Sequence, residues 1–159
     1  MNARVKVAGL GASAALLVAL VAHEGYTDKA VIPVKGDVPT VGFGSTTRPD
    51  GTPVRMGDTT TPVQALQRTL AHIQVDESGI KRCVTAPLTQ SEYDAYVSLT
   101  YNIGAKAFCG STLVRKLNKQ DYVGACLEIL NWDKFKGKPL RGLTTRRKEE
   151  YNKCMDGQP

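Results

Sequence analysis

The stretch that decides the fold is residues 24–46, EGYTDKAVIPVKGDVPTVGFGST. Two short β-prone runs, Ala30 to Val34 and Val38 to Phe43, flank Lys35-Gly36-Asp37, so the stretch predicts a hairpin with a polar, glycine-containing tip. Residues 45–60 are rich in Thr, Gly, Pro and Asp and read as loop. Beyond them, Thr61-Pro62 starts a helix whose apolar stripe is Val63, Leu66, Leu70 and Ile73, with its end expected near Ser78-Gly79. Thr89 and Glu92 form a capping box ahead of Tyr93, Tyr96 and Leu99, a stripe that reads as core, and Gly104 should stop that helix. Shorter helices are expected at about 111–118, 121–131 and 144–154. One small hairpin ahead of a mostly helical remainder, with no internal repeat, defines an α+β fold.

Upstream of the deciding stretch, Arg4 and Lys6 precede 16 uncharged residues, Val7 to Ala22, VAGLGASAALLVALVA. That is an export pattern. A helix of this length spans roughly 24 Å, short of a bilayer core of about 30 Å, and its Ala, Gly and Ser content makes it only weakly apolar. Small residues at −3 and −1 of a cleavage site are lacking near its end, because Leu20 precedes Ala22 and Leu17 precedes Ala19 at that offset. Retention is therefore expected over cleavage, with a buried core helix as the other reading of the run. The division expected is residues 1–23 as a signal-anchor segment and 24–159 as the folded domain.

At 159 residues, with 42% hydrophobic and a net charge of +6, the chain is long enough for one core and does not have the composition of a disordered polymer. Only His23 and His72 are present, too few for a three-histidine zinc site. A His-Glu zinc helix beginning at His23-Glu24 would need histidine at 27, where Thr27 stands. Residues 134–153 hold eight of the 21 basic residues against two acidic ones, so a basic partner-facing surface is expected near the C-terminus. No nucleic-acid-reading module accompanies it. Neither a metal nor a cofactor is expected.

Glu24 follows the apolar run directly. A carboxyl presented from an apolar wall has its pKa raised, and a carboxyl kept protonated is what a glycosidase needs to protonate a leaving oxygen. The order of motifs makes this specific. Glu24-Gly25-Tyr26, Pro39 to Thr46, Leu88-Thr89-Gln90, Tyr101-Asn102-Ile103-Gly104, Phe108 to Leu113, and Gly142-Leu143 with Arg146-Arg147 and Glu150 resemble, in this sequence order, the phage-type lysozymes, the endolysins of glycoside hydrolase family 24. The resemblance covers essentially residues 24–154. It implies a lysozyme-like fold, with a small β-hairpin lobe, a larger helical lobe and a cleft between them. The activity it implies is that of a muramidase cutting peptidoglycan between N-acetylmuramic acid and N-acetylglucosamine, acting as a monomer. Glu24 matches the general acid, Thr40 the family's threonine, and Tyr101 and Asn102 the positions of substrate contacts.

The sequence departs from the family at the second carboxylate. The family's spacing of Glu, eight residues, Asp, five residues, Thr falls on Pro33 counted from Glu24 and on Val34 counted from Thr40. Asp37 at the hairpin tip is the nearest substitute, with Asp28 behind it, although Gly-Asp is also ordinary turn chemistry. A lysozyme-like peptidoglycan binder that has lost catalysis is the alternative this departure raises. Trp132 and the Arg146-Arg147 pair read as structure, the arginines with stems over the core and charges outward.

In an oxidising periplasm the four cysteines should form two disulfides. Of three connectivities, Cys109–Cys126 with Cys83–Cys154 is favoured, on the expectation of an antiparallel pair of short helices. The N-terminal run also resembles that of the signal-arrest-release endolysins, which implies residence in the host inner membrane through residues 7–22, then release to the periplasm. No cysteine lies between Met1 and Arg82, so thiol exchange from within the anchor has no thiol to use.

Overall fold

The computed structural model describes residues 3–158; the first two residues of the expected anchor segment lie outside them. The elements are α1 (Ala14–Glu24), β1 (Thr27–Val31), β2 (Thr40–Gly42), α2 (Pro62–Cys83), α3 (Gln90–Ile103), α4 (Ala105–Cys109), α5 (Thr112–Asn118), α6 (Tyr122–Glu128), β3 (Lys134–Phe135), β4 (Lys138–Pro139) and α7 (Arg141–Asp156). The chain divides into a hairpin unit, Leu17–Ile73, and a helical unit made of the residues up to Leu16 and those from Gln74 onward.

In the helical unit α3 is the centre: every residue from Glu92 to Thr100 is buried. The expected capping box is present, with Glu92 N–H donating to the Thr89 hydroxyl and Thr89 N–H to the Glu92 carboxylate. Gly104 ends the helix in a positive-φ conformation, as its position suggests, and then opens α4, which the sequence reading missed. Helix α7 packs along α3, while α5 packs on α6. Helix α7 begins three residues earlier than expected, preceded by the unforeseen ribbon β3–β4, on which Lys134, Lys136 and Lys138 are exposed.

Three expectations are corrected here. The disulfides are Cys83–Cys109 and Cys126–Cys154, not the favoured pairing. The cause lies in α2, which runs past Gly79 to Cys83 because that glycine is a close-packing point and not a stop. A Cβ built on Gly79 would lie 2.5 Å from Ala105 Cβ, so α2 lies against α4 and brings Cys83 to Cys109. Cys126 and Cys154 are then left together on α6 and α7, where the Tyr96 hydroxyl donates to Cys154 Sγ at 3.4 Å. Second, Arg146 and Arg147 turn inward. The Arg147 side chain is 1% exposed and its Nε stands 2.8 Å from Glu150 Oε2; Arg146 Nε donates to the same carboxylate and its Nη2 to the Ser98 carbonyl. Two cations buried around one carboxylate leave the surface charge to the β3–β4 ribbon and its surroundings. Third, Trp132 is only half-buried and lines a surface pocket of about 370 Å³ with Ser111, Arg115 and Asn131.

The N-terminal run is not one helix. Val7–Gly9 form a 3-10 turn, residues 10–13 have no regular secondary structure, and α1 begins at Ala14. Gly9 and Gly11 are weak helix formers, and the backbone finds better partners. Val5 exchanges both backbone hydrogen bonds with Leu88, Ala12 N–H donates to Glu77, and the Ser13 N–H and hydroxyl donate to Asp94. Arg4 donates to the fully buried Glu92 carboxylate and to Gln158 Oε1, with its guanidinium 3.5 Å from the Tyr122 ring centroid. Among the described residues no helix is long and apolar enough to cross a membrane.

The hairpin unit is thin. Under the strands lies a cluster of Ala30, Val41 and Val54, and on its helices Leu20, Ala65 and Ile73 are buried. Strand β1 starts and ends three residues earlier than predicted and pairs with β2 through Thr27↔Gly42 and Val31↔Thr40 across an irregularity. Pro33 has no N–H to give a ladder, so pairing ceases before it. The free edge of β1 is met by the following loop, Ala30 N–H donating to the Asp58 carbonyl and Thr60 N–H to the Asp28 carbonyl. On α2 the expected stripe is displaced: Val63, Leu66 and Leu70 are exposed, and the inward face is Ala65, Thr69 and Ile73. Small residues occupy that face because β2 approaches it closely, a Cβ on Gly42 falling 2.7 Å from Ala65 Cβ.

Candidate active site

Three of the predicted site residues lie in the hairpin unit. Glu24 is the last residue of α1, which Gly25 ends with φ +66° and an N–H donated to the Val21 carbonyl at 3.2 Å. The Glu24 side chain is half-buried and lies along the turn that follows β2. That turn is closed by Val41 and Ser45, each N–H donating to the other's carbonyl at 3.0 Å. Its inner residues are Gly42, Phe43 and Gly44, and the Phe43 ring stands 5.4 Å from that of Tyr26. Thr40 opens β2, half-buried, two residues before the turn.

Asp37 sits in the connection between β1 and β2, exposed. Its N–H donates to the Val34 carbonyl at 2.9 Å and its carboxylate accepts the Val38 N–H at 2.8 Å, while Gly36 before it takes φ +86°. The side chain thus caps its own turn, as Gly-Asp chemistry allows. Pro33 and Val34 are exposed, and neither supplies a carboxylate. Asp28 is exposed on β1.

In the helical unit, Tyr101 and Asn102 occupy the last turn of α3, Tyr101 half-buried and Asn102 exposed. Arg147 Nη1 donates to Asn102 Oδ1 at 3.1 Å. The arginine that fixes this amide is one the sequence reading placed on the surface.

Against known proteins, the chain matches the phage lysozyme family over residues 21–150. The chain belongs to the phage lysozyme family. It is 39% identical over 127 residues to the endolysin of Salmonella phage P22, covering 80% of this chain and 86% of that one. The SAR-endolysin of Enterobacteria phage P21 is 32% identical over 138 residues, 86% of this chain and 81% of that one. The solved endolysin of Escherichia coli O157:H7 phage FAHEc1 superposes with a TM-score of 0.83 at 34% identity, covering 94% and 96% of the two chains.

The α+β lysozyme-like fold and the lysozyme class of enzyme therefore stand as the motif order implied. What the sequence reading missed in this phage lysozyme is the pair of glycines in the turn after β2, Gly42 against Ala65 and Gly44 against Glu24. Their Gly-x-Gly spacing at the end of a short strand was visible, but it signals only a turn. The helices they approach, α2 and α1 respectively, are a tertiary fact.

Proposed function

We propose that this lysozyme hydrolyses the β-1,4 bond between N-acetylmuramic acid and N-acetylglucosamine in peptidoglycan, with Glu24 as general acid. The observation that carries the reading is the Glu24 carboxylate held at the end of α1, against the turn that follows the strand bearing Thr40. Glu24 protonates the leaving glycosidic oxygen; the Thr40 hydroxyl holds the attacking water; Asp37 orients that water or offsets the positive charge developing on the sugar. Tyr101 and Asn102 contact the glycan, Asn102 offering its amide N–H while Arg147 occupies its oxygen. Mass spectrometry of digested muropeptides tests the bond: new reducing-end muramic acid supports it, and new reducing-end glucosamine refutes it. Glu24→Gln should keep the fold and lose roughly 100-fold or more in turnover. If Asp37→Asn is indifferent while Thr40→Ala is crippled, Asp37 has no part and the water is held by Thr40 alone.

A catalytically silent peptidoglycan binder is the second reading, favoured by Pro33 and Val34 where an acid is expected. Loss of turbidity of chloroform-treated Gram-negative cells on adding the protein refutes it.

We further propose that residues 7–22 hold the exported enzyme in the host inner membrane and then enter the fold, where they stay. The P21 relative, a SAR-endolysin by name, supports this route. So does the placement of Arg4: in the folded chain it neutralises the buried Glu92, a partner that cleavage after the apolar run would remove. Leucines in place of Gly9, Gly11, Ala12, Ser13 and Ala14 should strengthen anchoring and prevent lysis after depolarisation. Cleavage of that variant by signal peptidase followed by normal lysis refutes the anchor.

A further inference from the structure

Several glycines of the hairpin unit take positive φ. Gly25, Gly36, Gly51 and Gly57 do so with open space where a Cβ would project, so backbone conformation alone accounts for them. Gly42 and Gly44 are different. Each combines positive φ, +69° and +77°, with a neighbouring atom under 3.0 Å from where a Cβ would stand, so that a side chain there displaces something. At Gly42 the neighbour is apolar, Ala65 Cβ on α2. At Gly44 it is the Glu24 side chain: an added Cβ would lie 2.9 Å from Oε2, 3.7 Å from Cδ and 3.8 Å from Cβ. One turn thus meets a helix wall with its first glycine and the carboxylate-bearing side chain with its second.

We propose that Gly44 is a positioning residue for the reaction: its missing side chain is the seat on which Glu24 rests. The proposal rests on the general-acid reading of Glu24 and adds what sets its aim. The turn is pinned independently of Glu24, by the Val41–Ser45 hydrogen-bond pair, by the contact of Gly42 with Ala65 and by the Phe43 ring against Tyr26. It therefore presents a fixed surface to the carboxylate at the end of α1. A methyl group there pushes Oε2 off its seat, and a displacement of about 1 Å in a proton donor is enough to lower turnover by as much as 100-fold. Substrate binding elsewhere on the glycan is left alone, so the loss falls on kcat and not on KM.

The test compares full-length Gly44→Ala with Gly51→Ala, which carries the same conformational cost in an open loop. Turnover on purified peptidoglycan and Tm are measured for both, for Glu24→Asp, and for Gly44→Ala combined with Glu24→Asp. The expected result is an equal fall in Tm for the two glycine variants, wild-type kcat within twofold for Gly51→Ala, and at least a tenfold fall in kcat with unchanged KM for Gly44→Ala. In Glu24→Asp the carboxylate oxygens are drawn back from the 2.9 Å approach and Cβ alone stays at an ordinary 3.8 Å, so adding Gly44→Ala to that variant should cost less than twofold more. A crystal structure of Gly44→Ala, read for displacement of the Glu24 carboxylate, decides the matter if Glu24→Asp is too slow to measure. Wild-type kcat in Gly44→Ala, a full tenfold loss repeated in the Glu24→Asp background, or an undisplaced carboxylate overturns the proposal. Each of these leaves the general-acid reading standing, whereas wild-type turnover in Glu24→Gln removes both.

Discussion

The helical unit and the hairpin unit are built by opposite means. The first surrounds a wholly buried stretch of α3, ties α2 to α4 and α6 to α7 by disulfides, and buries charge: Arg146, Arg147 and Glu150 in one cluster, and Glu92 beneath the partly exposed Arg4 in another. The second has few buried apolar residues, with Ala30, Val41 and Val54 clustered under its strands, turns made by glycine, and an ion pair at its surface, Arg48–Asp58. Yet Glu24, Asp37 and Thr40 all lie in the second. The difference teaches that the residues proposed to do chemistry stand on the part with the least apolar burial, where close backbone approach, not bulk, sets positions.

The sharpest way to break that contrast is a pair of core truncations. Leu99→Ala in the helical unit should cost about 4 kcal/mol, and Val41→Ala in the hairpin unit about 1 to 2, because fewer neighbours lose contact in a thin core. Denaturant titration measures both; equal losses refute the contrast. The disulfides come next. Replacing Cys126 and Cys154 together with alanine should cost about 3 kcal/mol for a bridge closing a loop of 28 residues. Tryptic mapping without reduction should recover Cys83 linked to Cys109 and Cys126 linked to Cys154.

Smaller still, Arg4→Met should destabilise by about 2 kcal/mol. That is less than the ~3–5 of a fully buried pair, because Arg4 is partly exposed and Glu92 keeps its bonds from Thr89 and Gln158. Thermal unfolding checks it, and no loss refutes a structural role for the N-terminal segment. The smallest effect is expected at the surface pair. The Arg48 guanidinium, helped by the Arg55 N–H, holds the Asp58 carboxyl down to about 2. A carboxyl whose pKa is lower folded than unfolded stabilises the fold above its unfolded value, near 4, and loses that contribution as pH falls toward 2. The Tm of Asp58→Asn should therefore lie slightly below wild type at pH 6 and meet it at pH 2.

From sequence alone the helical unit was legible where signals are local. The Thr89/Glu92 box, the Gly104 stop and the Thr61-Pro62 start act within one turn of backbone, and all three stand in the structure. The motif order was likewise legible from Glu24 to Glu150, and it led to the phage lysozyme family. Local rules failed wherever another element supplied the reason. Gly79 reads as a helix end but is where α2 touches α4, and that contact reversed the disulfide pairing. Leu66 and Leu70 read as core by periodicity but face outward, because β2 needs the side of α2 that carries Ala65. Arg146 and Arg147 read as surface because a lone cation cannot be buried; Glu150 together with Ser98 and Asn102 makes burial possible. Within the proposed site the sequence determined which groups are candidates for chemistry, since Glu24 and Thr40 are recognisable by type and order. Only the tertiary structure set Gly44 against Glu24, because the absence of a side chain there acquires meaning only when another residue occupies the space.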